Sequence, residues 1–317
     1  MEAECSSVKE VIFKRIVRLM GNRFEISVVS SDDAWAENCI DAVIQEIQRI
    51  ENLLTTFSDT SQTNLINQNA GVNPVKVDPE VFTLIERSLK ISELTQGAFD
   101  ISYGSIDKSL WNFDLNMTSL PDRDTALQSV SLINYQNIVL DKKEQTVFLK
   151  EKGMRIGFGG IGKGYAADKA KTFLEEKGVA SGIINAAGDL VTWGTQPGGK
   201  PWTAAIADPN QQNHPFSSLN ISDMAIATSG NYEKYVVIDG KKYSHTIDPA
   251  TGLPVTGIKS VSIICPSAEL ADALATPVIV MGARVGLDLI NQLKHVACVI
   301  IDDYDKIYCS NNISINR

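Results

Sequence analysis

Between residues 23 and 30 apolar and polar side chains alternate, placing Phe24, Ile26 and Val28 on one face, as in a half-buried strand. Asp32 and Asp33 then offer N-caps for a long helix. Its apolar positions are Ile40, Val43, Ile44, Ile47, Ile50, Leu53 and Leu54, the stripe of a helix laid on a core. Residues 57–67 are polar and predict a loop running into a short helix. Pro79 suits the first turn of a second helix, with Val81, Leu84, Ile85, Leu89 and Ile91 on its apolar side. Residues 97–116 show no period and predict a loop. Residues 137–149 predict a hairpin, IVL and TVFL around DKKEQ. A glycine-rich turn at 157–164 feeds a helix over about 165–177. The short apolar runs GIIN, LVTW, TAAIA, MAIAT and YVVI predict strands, and 259–265 another. Helices over 269–281 and 284–293 follow, then a hairpin of 296–301 with 306–309. Strands and helices mix without regular βαβ alternation, which predicts an α+β class. With no repeat, low-complexity stretch or linker, the expectation is one domain over 1–317, built of two packed lobes, with residues 1–10 as a flexible start.

Composition changes this picture little. Apolar residues make up 44% of the 317 and charged residues 21%, as in ordinary globular chains. Lys and Arg number 29 against 38 Asp and Glu, a net charge of −9, which argues against a nucleic-acid partner. The five cysteines (Cys5, Cys39, Cys265, Cys298, Cys309) are scattered, with neither metal spacing nor a disulfide framework. No run of eighteen apolar residues predicts a transmembrane segment. The start, MEAECSSVKEVIFKR, lacks the apolar core of a signal peptide, so the expectation is either a cytoplasmic protein or a leader removed.

Four stretches carry candidate chemistry. GFGGIGKGYAADKA (157–170) combines close backbone approach, a helix N-terminus and the charge of Lys163, a natural anion site for a pyrophosphate. It satisfies GxxxxGK, but Gly164 stands where a nucleotide-binding P-loop needs Ser or Thr. The other reading is a tight strand–helix turn. In ADALAT (271–276), Asp272 and Thr276 share one helix face and are hard oxygen donors suited to Mg²⁺; on spacing alone, a carboxylate near the helix N-terminus beside a threonine bonding its own backbone fits better. In YSHTIDPATGLP (243–254), His245 ends a strand before a turn and is either a general base or a turn histidine. ATSGNYEKY (227–235) and NAAGDL (185–190) put small polar residues at strand ends, where sites and plain turns both occur. His214 and His295 have no such surroundings.

In this order the motifs resemble the FAD:protein FMN transferase family, the ApbE type. LMGNRFEISV (19–28), FSDTSQTNLIN (57–67), GAFDISYGSIDKSLW (97–111), GGIGKGYAAD (159–168), NAAGD (185–189), ATSGNYEKY (227–235), HTIDPATGLPV (245–255) and ADALAT carry the resemblance, over about residues 19–290. It implies a T-fold-related α+β domain with the cofactor cleft between its lobes. It also implies that the FMN part of FAD is transferred to a Thr or Ser hydroxyl of a flavoprotein, with Mg²⁺ bound and AMP released. On this resemblance Asp272, Thr276 and the Gly160 carbonyl hold the metal, and His245 is catalytic. Met20, Phe57, Ala98, Phe99, Asp100, Gly157, Lys163 and Thr246 contact FAD. The partner is a membrane-associated redox subunit, and the location is the periplasmic face of the bacterial inner membrane.

The chain departs from the family pattern at four places. Gly157 replaces a frequent Asp, NAAGD replaces NAGGD (a small change by composition), Phe57 replaces a frequent Tyr, and Lys234 stands for Arg. The same site would also serve an FAD pyrophosphatase yielding FMN and AMP, or a non-catalytic FAD-binding protein.

Overall fold

β1 (Val11–Leu19) and β2 (Asn22–Ser30) pair antiparallel from Val11↔Ser30 to Leu19↔Asn22, leaving only Met20 and Gly21 to reverse the chain. Both have positive φ, 50° and 72°, the turn that matches the twist of the flanking strands. β2 follows its alternation, with Phe24, Ile26 and Val28 wholly buried. β1 is a strand that the pattern did not announce. Its outward positions include apolar Ile12 and Ile16, so alternation is blurred. A computed structural model describes residues 9–107, 110, 119–207, 215–231 and 235–313, so most of the expected flexible start, His214 and Lys234 lie outside the described residues.

α1 (Asp33–Leu54) is capped by Asp32, which accepts from the Trp35 N–H, and buries Ile40, Val43, Ile47 and Ile50 as its stripe requires. α2 (Gln62–Gln68), β3 (Val75–Lys76) and α3 (Pro79–Leu94) follow. The aperiodic stretch after residue 97 contains a 3-10 turn at Ile101–Ser105 rather than loop alone, started by Asp100 accepting from the Ser102 N–H. α4 (Arg123–Ser129) was not anticipated. β4 (Ile138–Asp141) and β5 (Thr146–Leu149) form the expected hairpin. α5 (Gly162–Glu176) starts three residues before its predicted start, which moves Lys163 from the turn into the first turn of the helix. The short apolar runs are strands β6 (Gly182–Ala186), β7 (Asp189–Trp193), β8 (Thr203–Ala207), β10 (Ala225–Gly230) and β11 (Tyr235–Ile238). The more polar β9 (Pro215–Asn220) and β12 (Lys241–Ser244) pair with β8 and β11 and escaped the pattern. β13 (Ile258–Cys265) precedes α6 (Ala268–Ile290), and β14 (Ala297–Asp302) and β15 (Ile307–Cys309) close the fold. Gly282, at φ 80° and ψ 164°, interrupts α6, so the two predicted helices are its halves.

The central sheet is antiparallel throughout, in the order β1-β2-β6-β7-β10-β13-β14-β15. α1, α5 and α6 pack on one face and form the main core. On the other face Trp202 and Ala204 join Val29, Ile226, Ile264 and Val299 in a second core beside the β8–β9 hairpin. A third, smaller core of Ile106, Val130, Val236, Ile238 and Ile247 lies where α4 and β11–β12 meet. These features bear out the α+β class. α6 is the one helix among the described residues long and apolar enough to cross a membrane. Its Ala268, Ala271, Ala273, Leu274, Ala275 and Val278 are buried in the main core, which accounts for that apolarity.

Candidate functional site

The site begins where α5 and α6 touch. Asp168 on α5 accepts from the Ser267 hydroxyl (2.7 Å) and from the N–H groups of Ala268 (2.8 Å) and Glu269 (3.0 Å). A carboxylate on those free amides also meets the positive end of the helix dipole. From α3, Arg87 binds Glu269 through both arms, at 2.6 and 2.9 Å, and holds the same end. The two helices approach so closely at Gly164 that a Cβ there would sit 2.1 Å from the Ala268 carbonyl oxygen. The absent P-loop hydroxyl thus has a packing cause: residue 164 faces α6. In return Asp272 Oδ2 accepts from the Gly164 N–H at 3.0 Å.

Lys163, one residue earlier, reaches Asp272 Oδ1 at 3.2 Å and forms an ion pair with Asp189 at the start of β7. Asp272 is 6% exposed and Asp189 3%. Burial opposes the charge on Lys163, but Asp272 and Asp189 together outweigh it and hold the ammonium protonated well above its ordinary range. Burial, and next the Asp272 carboxylate, push Asp189 upward, against Lys163 and the Thr228 N–H. The upward push on Asp189 is the mark of two acidic side chains crowded around one ammonium, a crowding that a further cation would relieve. Among the described residues no three His, Cys, Asp or Glu side chains gather into a metal cage. A cation here would therefore rely on the Asp272 carboxylate, the Thr276 hydroxyl one turn on, backbone carbonyls, water and ligand oxygens. That donor set fits Mg²⁺, which keeps waters and takes one or two carboxylates plus phosphates. Ser229 at the end of β10 hydrogen-bonds the Thr276 hydroxyl at 3.1 Å.

The glycine turn is wrapped by side chains from three other segments. A Cβ on Gly160 would lie 3.7 Å from the Phe99 ring, one on Gly162 3.6 Å from Met20 Cε, and one on Gly157 3.7 Å from Thr56. The Gly157 N–H also donates to Ile101 O at 2.8 Å. Met20 is fixed in its turn by its own N–H donating to Glu51 at 2.8 Å. Phe57, beside Thr56, is 98% exposed, an open aromatic surface at the rim. Asp100 is engaged within the protein: it accepts from the Ser102 N–H and hydroxyl and from the Tyr135 N–H, each at 2.7 Å, while burial raises its pKa. Ala98 and Asp100 border a cavity of about 790 Å³ that runs between the end of α3, residues 133–136, the 248–250 turn and the later half of α6.

His245 is exposed directly after β12, between buried Ser244 and Thr246. Thr246 donates to Asn231 at 3.0 Å, and Asn231 lies two residues beyond Ser229, so the histidine segment connects to Thr276 through the end of β10. Tyr103 ties the Ala98–Asp100 run to the same segment, its hydroxyl accepting from the Ile247 N–H at 3.2 Å. The structure thus gathers Met20, Phe99, Gly157, Gly160, Lys163 and Asp272 around one turn, with Phe57 beside Thr56 and Thr276 one helical turn beyond Asp272. Thr246, next to His245, connects to Thr276 only through Asn231 and the end of β10, and Ala98 and Asp100 border the cavity. Three residues had gone without a role: Asp189, Asp168 and Ser229. Each lies inside a quoted motif, but only the packing shows that they position Lys163, α6 and Thr276. The change to NAAGD is also more than compositional, because Ala187 stands at φ 57°, a left-handed position.

Known proteins resemble this chain over most of its length. A FAD:protein FMN transferase of Klebsiella pneumoniae is 31% identical over 285 residues, 89% of this chain and 87% of that relative. One from Treponema pallidum is 30% identical over 317 residues, 95% of this chain and 87% of that relative. The crystal structure of the ApbE protein from Thermotoga maritima superposes with a TM-score of 0.85 at 29% identity, covering 95% of this chain and 97% of that one. The profile of the ApbE family matches residues 20–300, and the chain belongs to that family.

Proposed function

We propose that this chain transfers the FMN moiety of FAD to a threonine or serine hydroxyl of a target flavoprotein and releases AMP. The observation that carries this reading is Lys163, half-buried at the α5 N-terminus between Asp189 and Asp272, on the turn that Met20 and Phe99 enclose. Mg²⁺, held by Asp272, Thr276 and the Gly160 carbonyl, would neutralise charge on the FAD pyrophosphate. Lys163 adds a fixed ammonium to the same group, and the start of α5 adds its partial positive charge. Met20, Phe57 and Phe99 offer apolar surfaces to the ring systems. His245 takes the proton of the acceptor hydroxyl; the hydroxyl oxygen bonds to the FMN phosphorus as the bond to the AMP phosphate breaks. Positioning and charge neutralisation then supply most of the rate.

Family resemblance supports a membrane-associated redox subunit as acceptor and the periplasmic face of the inner membrane as the place of action. The test is AMP release from FAD with Mg²⁺, with and without candidate acceptor flavoproteins, followed by flavin fluorescence on a denaturing gel. AMP release together with a fluorescent acceptor band supports the transferase. AMP release that ignores the acceptor makes the chain a pyrophosphatase, and FAD binding without turnover makes it a carrier.

A further inference from the structure

We infer that the free edge of β1 is the docking strand for the acceptor, taking an extended acidic segment of the target protein. This rests on the transferase reading. β1 ends the central sheet, and among the described residues nothing pairs with its outer edge. The strand is nine residues long, without proline, and exposes Ile12 (41%) and Ile16 (52%) on the face away from α1. Lys14, Arg15 and Arg18 are the kind of charges that keep an edge from pairing with an unselected strand, and they leave it open to one of opposite charge.

Charge selects the partner. On that face of β1 and β2 the charged residues are Lys14, Arg18, Arg23 and Glu25, three cations and one acid on a chain of net charge −9. Glu25 pairs with Lys14 and Arg23, and Arg18 has no carboxylate partner among the described residues. Arg18 and Arg23 stand directly opposite each other; Glu25 compensates Arg23, which leaves Arg18 as the charge an incoming acid would meet. They flank a groove of about 360 Å³ with Ile16, Val17, Gly21 and Asn22.

Position links this edge to the chemistry. β1 runs into Met20, whose side chain reaches the Gly162 turn beside Lys163. A segment added along β1, with acids at Arg18 and Arg23 and apolar residues at Ile12 and Ile16, is carried past Met20 toward the cleft. Strand addition would supply affinity through main-chain hydrogen bonds, and the arginines specificity and on-rate.

The probe is a fluorescent peptide of about twelve residues alternating Val and Glu around one Thr, with a Lys-for-Glu copy as control. Binding is read by anisotropy, and amide hydrogen exchange of β1 is read alongside. The acidic peptide is expected to bind, to protect β1 amides, and to lose affinity about tenfold in Arg18→Glu/Arg23→Glu and in high salt. The Lys copy is expected not to bind. Arg18→Gln/Arg23→Gln, with melting temperature measured for both variants, separates lost docking from lost folding.

Four outcomes overturn the inference. The acidic peptide fails to bind; both folded variants bind it like the parent; anionic phosphatidylglycerol vesicles, and not the peptide, show the arginine dependence; or β1 gains protection simply on raising protein concentration, which assigns the edge to a second copy. FAD binding by the same variants, and acceptor-dependent AMP release by the parent, report the FAD site and the chemistry separately, so a docking failure is distinguishable from a failure of the transferase reading.

Discussion

Ala187 occupies a left-handed turn position, φ 57°, immediately before Gly188 and Asp189. An L-residue there costs roughly 1–2 kcal/mol relative to its ordinary basins. Ala187→Gly is therefore expected to stabilise the fold by about 0.5–1 kcal/mol, the relief being offset in part by the added freedom of the unfolded chain. Urea denaturation checks it, and a lower midpoint would refute the strain. At the same scale His245→Ala is expected to leave FAD binding intact while slowing transfer by ~10²–10⁴-fold, the usual contribution of a general base. Transfer at the parent rate would return His245 to the status of a turn residue. These two residues differ in legibility. His245 is marked by its rarity and its setting before a turn, whereas the strain at Ala187 is a backbone angle that its letter does not carry.

The helices α1, α3, α5 and α6 act as a frame, and two contacts test it. Gly164→Ala would place a Cβ 2.1 Å from the Ala268 carbonyl, so α5 and α6 must separate. A loss of about 1–3 kcal/mol is expected, together with weakened FAD binding because Lys163 and Asp272 move apart. Calorimetry of both properties decides it. Glu80 on α3 receives hydrogen bonds from Arg49 of α1 and from the Tyr165 hydroxyl of α5. Burial alone would raise its pKa, but Arg49 and then Tyr165 outweigh burial and hold it below the ordinary value. Such a carboxylate stabilises the fold above the unfolded pKa, about 4.3, and the stabilisation is lost as pH falls through the lower folded value. Glu80→Gln is thus expected to cost roughly 1 kcal/mol at neutral pH, with the gap narrowing toward about pH 3 in urea titrations at several pH values. A gap that widens in acid would refute the assignment. At this scale the sequence was readable where one face is buried, as in α1 and β2. It was not readable in β1 and β12, where side chains on both faces share one character or partnership with another strand decides the conformation.

Across the whole molecule, the prediction concerns linkage between ligand, metal and fold. A ligand at about a hundred times its dissociation constant stabilises the folded state by about 2.7 kcal/mol, a rise of roughly 5–10 °C in melting temperature for a chain of this size. FAD with Mg²⁺ is expected to give such a rise, and Asp272→Ala to remove the part that depends on Mg²⁺. An unchanged Mg²⁺-dependent shift in that variant would remove Asp272 from the metal site. The sequence by itself determined the α+β class, the strand and helix faces that bury apolar area, and the ordered motifs that mark the family. Those signals are local: periodicity, caps and short spacings survive in one dimension. Only the tertiary structure decided that Lys163 stands between Asp189 and Asp272, that Asp168 seats α6, and that Gly164 is small because another helix lies against it. Each of these joins residues 26 to 109 positions apart, and no one-dimensional pattern encodes such a distance.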